Sequence, residues 1–292
     1  MPAANSAILI VDDDPRYRSL LRERLQNAGY LITEAADGVE AVDILRVESY
    51  DVILLDLNMP NMDGFEVLEW LKQNKNTKDT NVIVLTADSK RDTVVTSLTL
   101  GAKDFITKTS SKLEMLTRIR YLSGIKVLEE MTHEKISDEE LARSKILIVD
   151  DEPLSIELTA RRIEKQGFTV LRANSGEQAI AMVKEQDVQL ILLDINMPGM
   201  DGYTTLKHLR EHKAKEELAI VMVTAIEEPD VVIDCIRADA DDYIMKPFHP
   251  TELIARINTV LRFSLLLNKE YRQRQKHQAL AELGTQIRNT DT

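Results

Sequence analysis

The chain of 292 residues carries a single cysteine, Cys235. That excludes an intrachain disulfide and any zinc site built from cysteine pairs. Aromatic residues make up only 4% of the chain, too few for a platform on which nucleic-acid bases stack. Positive charge is in the minority. Lys and Arg number 37 against 49 Asp and Glu, and the net charge of −12 excludes a whole-chain basic footprint for DNA. No run of 18 apolar residues occurs, so no segment reads as a membrane span. The opening Met1-Pro-Ala-Ala-Asn-Ser lacks a basic stretch followed by an apolar one and does not read as a secretory signal; the expectation is a cytoplasmic chain. There is no Gly-rich nucleotide loop or P-loop lysine, which excludes a kinase. No helix-turn-helix pattern is present, which disfavours a DNA-binding output. What is present is an ordinary globular composition, 43% hydrophobic and 29% charged, over a length that suits two domains.

The chain repeats itself. Ile8-Leu-Ile-Val-Asp-Asp-Asp-Pro15 returns as Ile146-Leu-Ile-Val-Asp-Asp-Glu-Pro153, and Ile53-Leu-Leu-Asp-Leu-Asn-Met-Pro60 as Ile191-Leu-Leu-Asp-Ile-Asn-Met-Pro198. Asp63-Gly64 returns as Asp201-Gly202, Thr86 as Thr224 and Lys108 as Lys246, each at an offset of 138. Copies of this size are domains rather than solenoid repeats.

Within each copy, short apolar runs alternate with amphipathic segments. In the first, the runs are Ile8–Val11, Leu31-Ile32, Val52–Leu55, Val82–Leu85 and Asp104–Ile106. Short, continuous and rich in Val and Ile, they suit parallel strands buried on both faces. Helical patterns fall between them over Tyr17–Ala28 and Val39–Val47, the first with Asp14 as N-cap, Pro15 at the first helical position and Gly29 as the stop. The second copy repeats the strands at Ile146–Val149, Leu190–Leu193, Ile220–Val223 and Asp242–Met245. The alternation predicts two five-stranded α/β sheets with helices on both faces.

The acids then acquire a place. Asp12 and Asp13 follow strand 1 and Asp56 ends strand 3; open α/β sheets bind ligands outside the carboxyl ends of their strands. Three converging carboxylates repel one another unless a cation sits among them, and oxygen-only ligands suit Mg²⁺. Thr86 ends strand 4 and Lys108 follows strand 5, a hydroxyl and an ammonium suited to phosphate oxygens. The set is a carboxylate nucleophile, a metal and two phosphate-orienting groups, which fits phosphoryl transfer. Each residue alone has an ordinary explanation: Asp14 a helix cap, Asp56 a strand end, Thr86 a β-branched strand residue, Lys108 a surface lysine. Found together, twice, at one spacing, they do not.

These motifs, Asp-Asp after strand 1, Leu-Leu-Asp-X-Asn-Met-Pro-X-Met-Asp-Gly after strand 3, Thr-Ala after strand 4 and Lys after strand 5, resemble the receiver domain of two-component response regulators. The resemblance covers roughly Ala7–Ile125 and Lys145–Ser264. It implies a doubly wound, flavodoxin-like fold with strand order 2-1-3-4-5, and phosphoryl transfer from a histidine kinase, or a phosphotransfer protein, onto Asp56 and Asp194. It implies Mg²⁺ held by Asp12, Asp13, Asp56 and the Asn58 backbone, and in the second copy by Asp150, Asp151, Asp194 and Asn196. Thr86, Lys108, Thr224 and Lys246 would attend the phosphoryl group, and Phe105 and Tyr243 fall at the family's aromatic switch position, which is equally read as a buried strand aromatic. Two departures separate the copies. Lys246 precedes Pro247, the family's usual cis Lys-Pro, whereas Lys108 precedes Thr109, so the second copy is expected to be the more conventional switch. Asp88 stands where the second copy has Ile226, near the water path, so dephosphorylation rates are expected to differ.

The expected organisation is receiver 1 over 1–128, a linker over 129–144, receiver 2 over 145–265 and a helical extension over 266–292. The expected role is a phosphoacceptor that switches a protein-interaction surface, with no enzymatic activity beyond its own dephosphorylation. One alternative is the regulatory fragment of a larger regulator with an output such as a diguanylate cyclase, for which no signature is present. A remoter one is an aspartate-based phosphohydrolase, disfavoured because Asn58 and Asn196 stand where those enzymes place a second acid. The five histidines show no metal pairing; His208 and His212, spaced i, i+4, read as a solvated helix face. Leu265-Leu266-Leu267 reads as running past the edge of the second domain, which predicts a homodimer through this helix; a fold-back between the two domains is the competing expectation.

Overall fold

The computed structural model describes residues 6–74, 77, 80–87, 91–225 and 229–290. The first unit alternates β1 (Ala7–Val11), α1 (Pro15–Gln26), β2 (Leu31–Ala35), α2 (Gly38–Leu45), β3 (Val52–Asp56), α3 (Gly64–Gln73), β4 (Asn81–Thr86), α4 (Arg91–Leu100), β5 (Asp104–Thr107) and α5 (Lys112–Thr132). After a short α6 (Asp138–Ala142), the second unit repeats the series. It runs β6 (Lys145–Val149), α7 (Pro153–Glu164), β7 (Thr169–Ala173), α8 (Gly176–Glu185), β8 (Leu190–Asp194), α9 (Gly202–His212), β9 (Ala219–Thr224), α10 (Pro229–Arg237), β10 (Asp242–Met245) and α11 (Pro250–Thr290). Each unit is one parallel sheet, ordered β2-β1-β3-β4-β5 in the first and β7-β6-β8-β9-β10 in the second. The two doubly wound sheets and the long last helix agree with the fold read from the sequence.

The local chemistry explains the elements. β1, β3, β6 and β8 are almost wholly buried, as their continuous apolar runs require. Each fully buried Ile or Leu in them contributes about 1.5–3 kcal/mol relative to exposure. Asp14 does cap α1, its side chain accepting from the Arg16 amide at 2.8 Å. Gly29, at φ +91°, turns the chain out of that helix in a conformation that side chains resist. Of the segment 129–144, expected to be a helix end followed by a linker, α5 takes the residues up to Thr132, and the rest contains α6, capped by Ser137, which accepts from the Glu140 amide. Ser137-Asp-Glu-Glu140 is a capping-box pattern that was there to be read.

Three apolar cores form among the described residues. One lies on the α2–α4 side of the first sheet and one on the α8–α10 side of the second. The third is shared: it joins Ile8 and Ile10 of β1 and Ile119 of α5 to Ile146 and Ile148 of β6 and Leu253 and Ile257 of α11. The two units therefore meet through a true core, with α11 packed chiefly on α5. Tyr121 and Phe263 meet edge-on across it at 4.6 Å between ring centroids. Gly124 admits this approach, since a Cβ there would lie 2.6 Å from the Phe263 ring.

That packing corrects one expectation. Leu265-Leu266-Leu267 does not run free past the edge of the second unit: Leu266 is fully buried, and Leu265 and Leu267 pack against the shared core. The reason is that α11 folds back along α5 and α6 of the same chain. Its apolar face is covered from within, where the sequence pattern left it unpartnered.

Candidate functional site

The acids converge as their strands dictate. β1 and β3 are neighbours in register, with Val11 opposite Leu55, so Asp12 and Asp56 emerge side by side at the same end of the sheet. Asp13 joins them. Ligand oxygens of Asp12, Asp13 and Asp56 lie within 4.8 Å of one another, and those of Asp150, Asp151 and Asp194 repeat the arrangement. In each trio the first and third acids are buried and the second is exposed. Gly64 and Gly202 hold α3 and α9 against the ends of β3 and β8. A Cβ would sit 2.3 Å from the Asp56 carbonyl oxygen, or 2.1 Å from that of Asp194. Only glycine allows that approach.

The lysines bind the acids together. Lys108 Nζ lies 2.7 Å from Asp12 Oδ2 and 2.8 Å from Asp56 Oδ2. Lys246 Nζ lies 2.6 Å from Asp150 Oδ2 and 2.9 Å from Asp194 Oδ2. Backbone bonds fix the lysine positions: the Lys108 amide donates to the Thr86 carbonyl and the Lys246 amide to that of Thr224. Thr86 and Thr224 end their strands, buried beside the acids. The amides of Asn58 and Asn196 reach Asp56 Oδ1 and Asp194 Oδ1 at 3.3 and 3.4 Å. Lys246–Pro247 is the one cis peptide among the described residues, yet both lysines make the same two contacts. Asp88 and Ile226 lie outside the described residues.

Electrostatics follow from burial. Burial raises the Asp12 carboxyl above the ordinary aspartate range, against the lowering pull of its bond to Lys108. Asp194 is raised in the same way, with Lys246 opposing. Burial alone would lower the two lysines, but the paired carboxylates outweigh it and hold both above the ordinary lysine value. Each site therefore holds a cation between two buried oxygens, with an exposed acid at the rim. Three hard oxygen donors at this spacing fit a hexacoordinate ion such as Mg²⁺ that keeps several waters. Sequence reasoning missed two neighbours. The Tyr17 ring lies 4.9 Å from Lys108 Nζ, and at the matching position Ser155 donates to Asp150 Oδ2 at 2.7 Å. In the sequence Tyr17 is only the first residue of a helical pattern, and Ser155 carries no signal apart from its offset.

Phe105 and Tyr243 are buried on β5 and β10, under the other unit rather than on a free surface. His208 lies by Glu211 on an exposed face of α9, and the two acidic trios are the only clusters of three or more such side chains placed to hold a metal among the described residues.

Comparison with known proteins agrees with this geometry. The response regulator receiver domain profile matches residues 8–120 and 146–258. The response regulator PleD of Caulobacter vibrioides is 26% identical over 271 residues, 88% of this chain and 59% of PleD. The phosphate regulon transcriptional regulatory protein PhoB of Pseudomonas aeruginosa is 41% identical over 117 residues, 40% of this chain and 51% of PhoB. Among solved structures, a probable two-component system response regulator/GGDEF domain protein is 25% identical and covers 89% of this chain and 99% of its own, with a TM-score of 0.41. The chain thus spans about half to three-fifths of the length of these curated relatives. With most of its residues inside two matched segments, each carrying its own acidic trio and lysine, the chain belongs to the response regulator receiver domain family and holds two receivers in tandem.

Proposed function

We propose that Asp56 and Asp194 are both phosphoacceptors, loaded from the phosphohistidine of a kinase or phosphotransfer protein. A carboxylate oxygen attacks phosphorus, the P–N bond breaks, and the histidine leaves with its electron pair and takes up a proton. The observation that carries this reading is the double occurrence of one geometry, an aspartate at the end of the third strand bonded to a lysine at the end of the fifth. Lys108 and Lys246 each have a hydrogen bond to give to a transferred phosphoryl oxygen once the acceptor carboxylate has become an acyl phosphate. Thr86 and Thr224 end the intervening strand and offer it a hydroxyl. Asp12, Asp13, Asp56 and the Asn58 backbone, or Asp150, Asp151, Asp194 and that of Asn196, would hold Mg²⁺, which would neutralise charge on the phosphoryl group. The acceptor is spent once per phosphoryl group, and no second acid stands two residues after it to turn the reaction over. This supports a switch rather than a phosphohydrolase.

Labelling with a small acyl phosphate tests the assignment. Asp56→Asn is expected to abolish label in the first receiver only, Asp194→Asn in the second only, and chelation of Mg²⁺ in both. Label that persists in the double variant through an acid-stable linkage overturns it.

The output is proposed to lie with a partner or with a further domain. The second option draws on PleD, of which this chain spans 59%. No helix among the described residues is long and apolar enough to cross a membrane, and we place the chain in the cytoplasm, where histidine kinases present their phosphoryl groups. Self-association is retained as a proposal, but through a different surface from the one first expected. With the leucines of α11 buried, a homodimer has to use the polar stretch from Tyr271 onward or the outer helices. Light scattering with and without a phosphoryl mimic decides it: a monomer under every condition removes the dimer.

A further inference from the structure

Where the two receivers meet, the chain builds a second constellation that phosphoryl chemistry does not require. Asp104, Glu114 and Arg118 of the first receiver recur as Asp242, Glu252 and Arg256 of the second. Here the copies face each other. Arg118 Nη1 lies 3.2 Å from Asp104 and 3.8 Å from Asp242 of the other receiver. Arg256 Nη1 lies 3.3 Å from Asp242 and 3.4 Å from Asp104. All four side chains are buried. The arginines also cross over: the Arg256 guanidinium stands 5.0 Å from the Phe105 ring centroid, and that of Arg118 stands 5.5 Å from the Tyr243 ring. Each aromatic is thus stacked under an arginine of the opposite receiver, an attraction that strengthens where water is excluded.

These contacts lie two strands away from the acceptors, across β4 in the first receiver and β9 in the second. Phe105 sits three residues before Lys108, whose ammonium is bonded to Asp56. Tyr243 sits three before Lys246, bonded to Asp194. A phosphoryl group on either aspartate adds about −1.5 to −2 charges to the carboxylate that the lysine grips. The lysine must re-seat, and it is anchored to the end of the strand that carries the aromatic and the aspartate into the interface.

We propose that Arg118 and Arg256 couple the two acceptor sites within one chain, so that occupancy of either site tightens binding at the other. This rests on the receiver reading above. The sign follows from the shared interface: contacts loosened by movement of one strand are loosened for both, and the second ligand finds that cost already met. Coupling of this kind is reciprocal, with one factor for both directions.

Beryllofluoride with Mg²⁺, titrated into the full chain and followed by the ¹⁹F resonances of the two bound sites, measures it. The Asp56 site is expected to bind at least about fivefold more tightly in the unaltered chain than in Asp194→Asn. The Asp194 site should respond to Asp56→Asn by the same factor. Arg118→Lys and Arg256→Lys keep the charge but lose the planar fork, and each should bring the factor to about one. Should either fail to fold, Phe105→Leu removes the ring face while keeping an apolar side chain there, and the factor is again expected to collapse. Equal or weaker affinity at the Asp56 site when Asp194 is occupied overturns the proposal. So does a factor that differs by direction, or one that survives the variants. Absence of beryllofluoride binding at both sites overturns the receiver reading itself, which separates the two failures.

Discussion

The two receivers agree where phosphoryl chemistry constrains them and differ where it does not. Lysine-to-carboxylate distances match within about 0.1 Å between the copies, 2.7 and 2.8 Å in the first against 2.6 and 2.9 Å in the second. Around that frame the residues diverge. The rim carries Tyr17 in one copy and Ser155 in the other, and the first helix opens with Asp14 in one and Glu152 in the other. The contact between the receivers is also unequal. Tyr121 donates to Asp241 across it, yet the positions that would return that bond hold Thr259 and Lys103. The repeat carries two matching acid–lysine clusters and an interface whose arginine–aspartate centre is symmetric while its flanks are not. One copy can therefore change its surroundings without losing the chemistry.

The comparison is first sharpened where the copies are expected to behave alike. Gly64→Ala and Gly202→Ala each force a Cβ within 2.3 Å of the acceptor residue's own carbonyl oxygen. Overpacking against backbone that cannot yield costs about 1–3 kcal/mol or more. Both variants are expected to lower the urea midpoint by a similar amount and to slow labelling of their own receiver. A large effect in one copy alone would show that the two frames are not equivalent.

Next is the one-sided bond. Tyr121→Phe removes a buried donor to Asp241, which keeps Arg210 and the Ile220 amide as partners. A hydrogen bond to a charged group is worth about 1.5–3 kcal/mol, and the retained partners place the loss near the lower end. Thr259→Val, at the matching position in the second receiver, is expected to cost less than Tyr121→Phe. Comparable losses in urea melts would remove the asymmetry of the interface.

Much of this was legible in the sequence because it is local. Strands announce themselves as apolar runs, and the acids and lysines fall at run ends whose spacing repeats. The interface was not legible. Arg118 and Arg256 occupy helix positions that look like solvated charge, and each is buried only by the opposite receiver, 138 positions away. The same distance misled the reading of Leu265–Leu267, whose cover is α5 and α6. One signal was available: Asp104, Glu114 and Arg118 keep their offset to Asp242, Glu252 and Arg256 as faithfully as the catalytic landmarks do, although phosphoryl transfer gives no reason for it.

The buried charges of that interface also predict a pH dependence. Burial pushes the Asp242 carboxyl from an ordinary 3.8 up to about 7, with Arg118 opposing and Asp104 and Glu114 adding to the rise. Arg256, Glu252 and Tyr243 complete the groups around it. A carboxyl whose pKa is higher folded than unfolded binds its proton more tightly in the folded state. Its contribution is full below about pH 4 and is lost as pH rises through about 7. In Mg²⁺-free buffer the Tm is expected to fall by a few degrees from pH 5.5 to pH 8, and Asp242→Asn should flatten that slope. A Tm that rises across the interval would contradict the assignment.

The smallest effect separates the two first helices. Asp14 accepts from the Arg16 amide, whereas Glu152 at the matching position makes no side-chain cap bond to α7. The difference has a chemical cause: aspartate places its oxygen within reach of the second amide of the helix, and the extra methylene of glutamate carries it past. Asp14→Ala is expected to cost about 0.5–1 kcal/mol, toward the lower end for a cap because the bond is exposed. Glu152→Ala should cost close to nothing, and Glu152→Asp should stabilise the chain by installing the missing cap. Urea melts of the three variants check this. The measurement belongs in Mg²⁺-free buffer, because both positions adjoin an acidic trio and bound metal would mix ligand affinity into the result. Equal losses for Asp14→Ala and Glu152→Ala would mean that the two helix starts are interchangeable, and that the divergence at this position follows something other than capping.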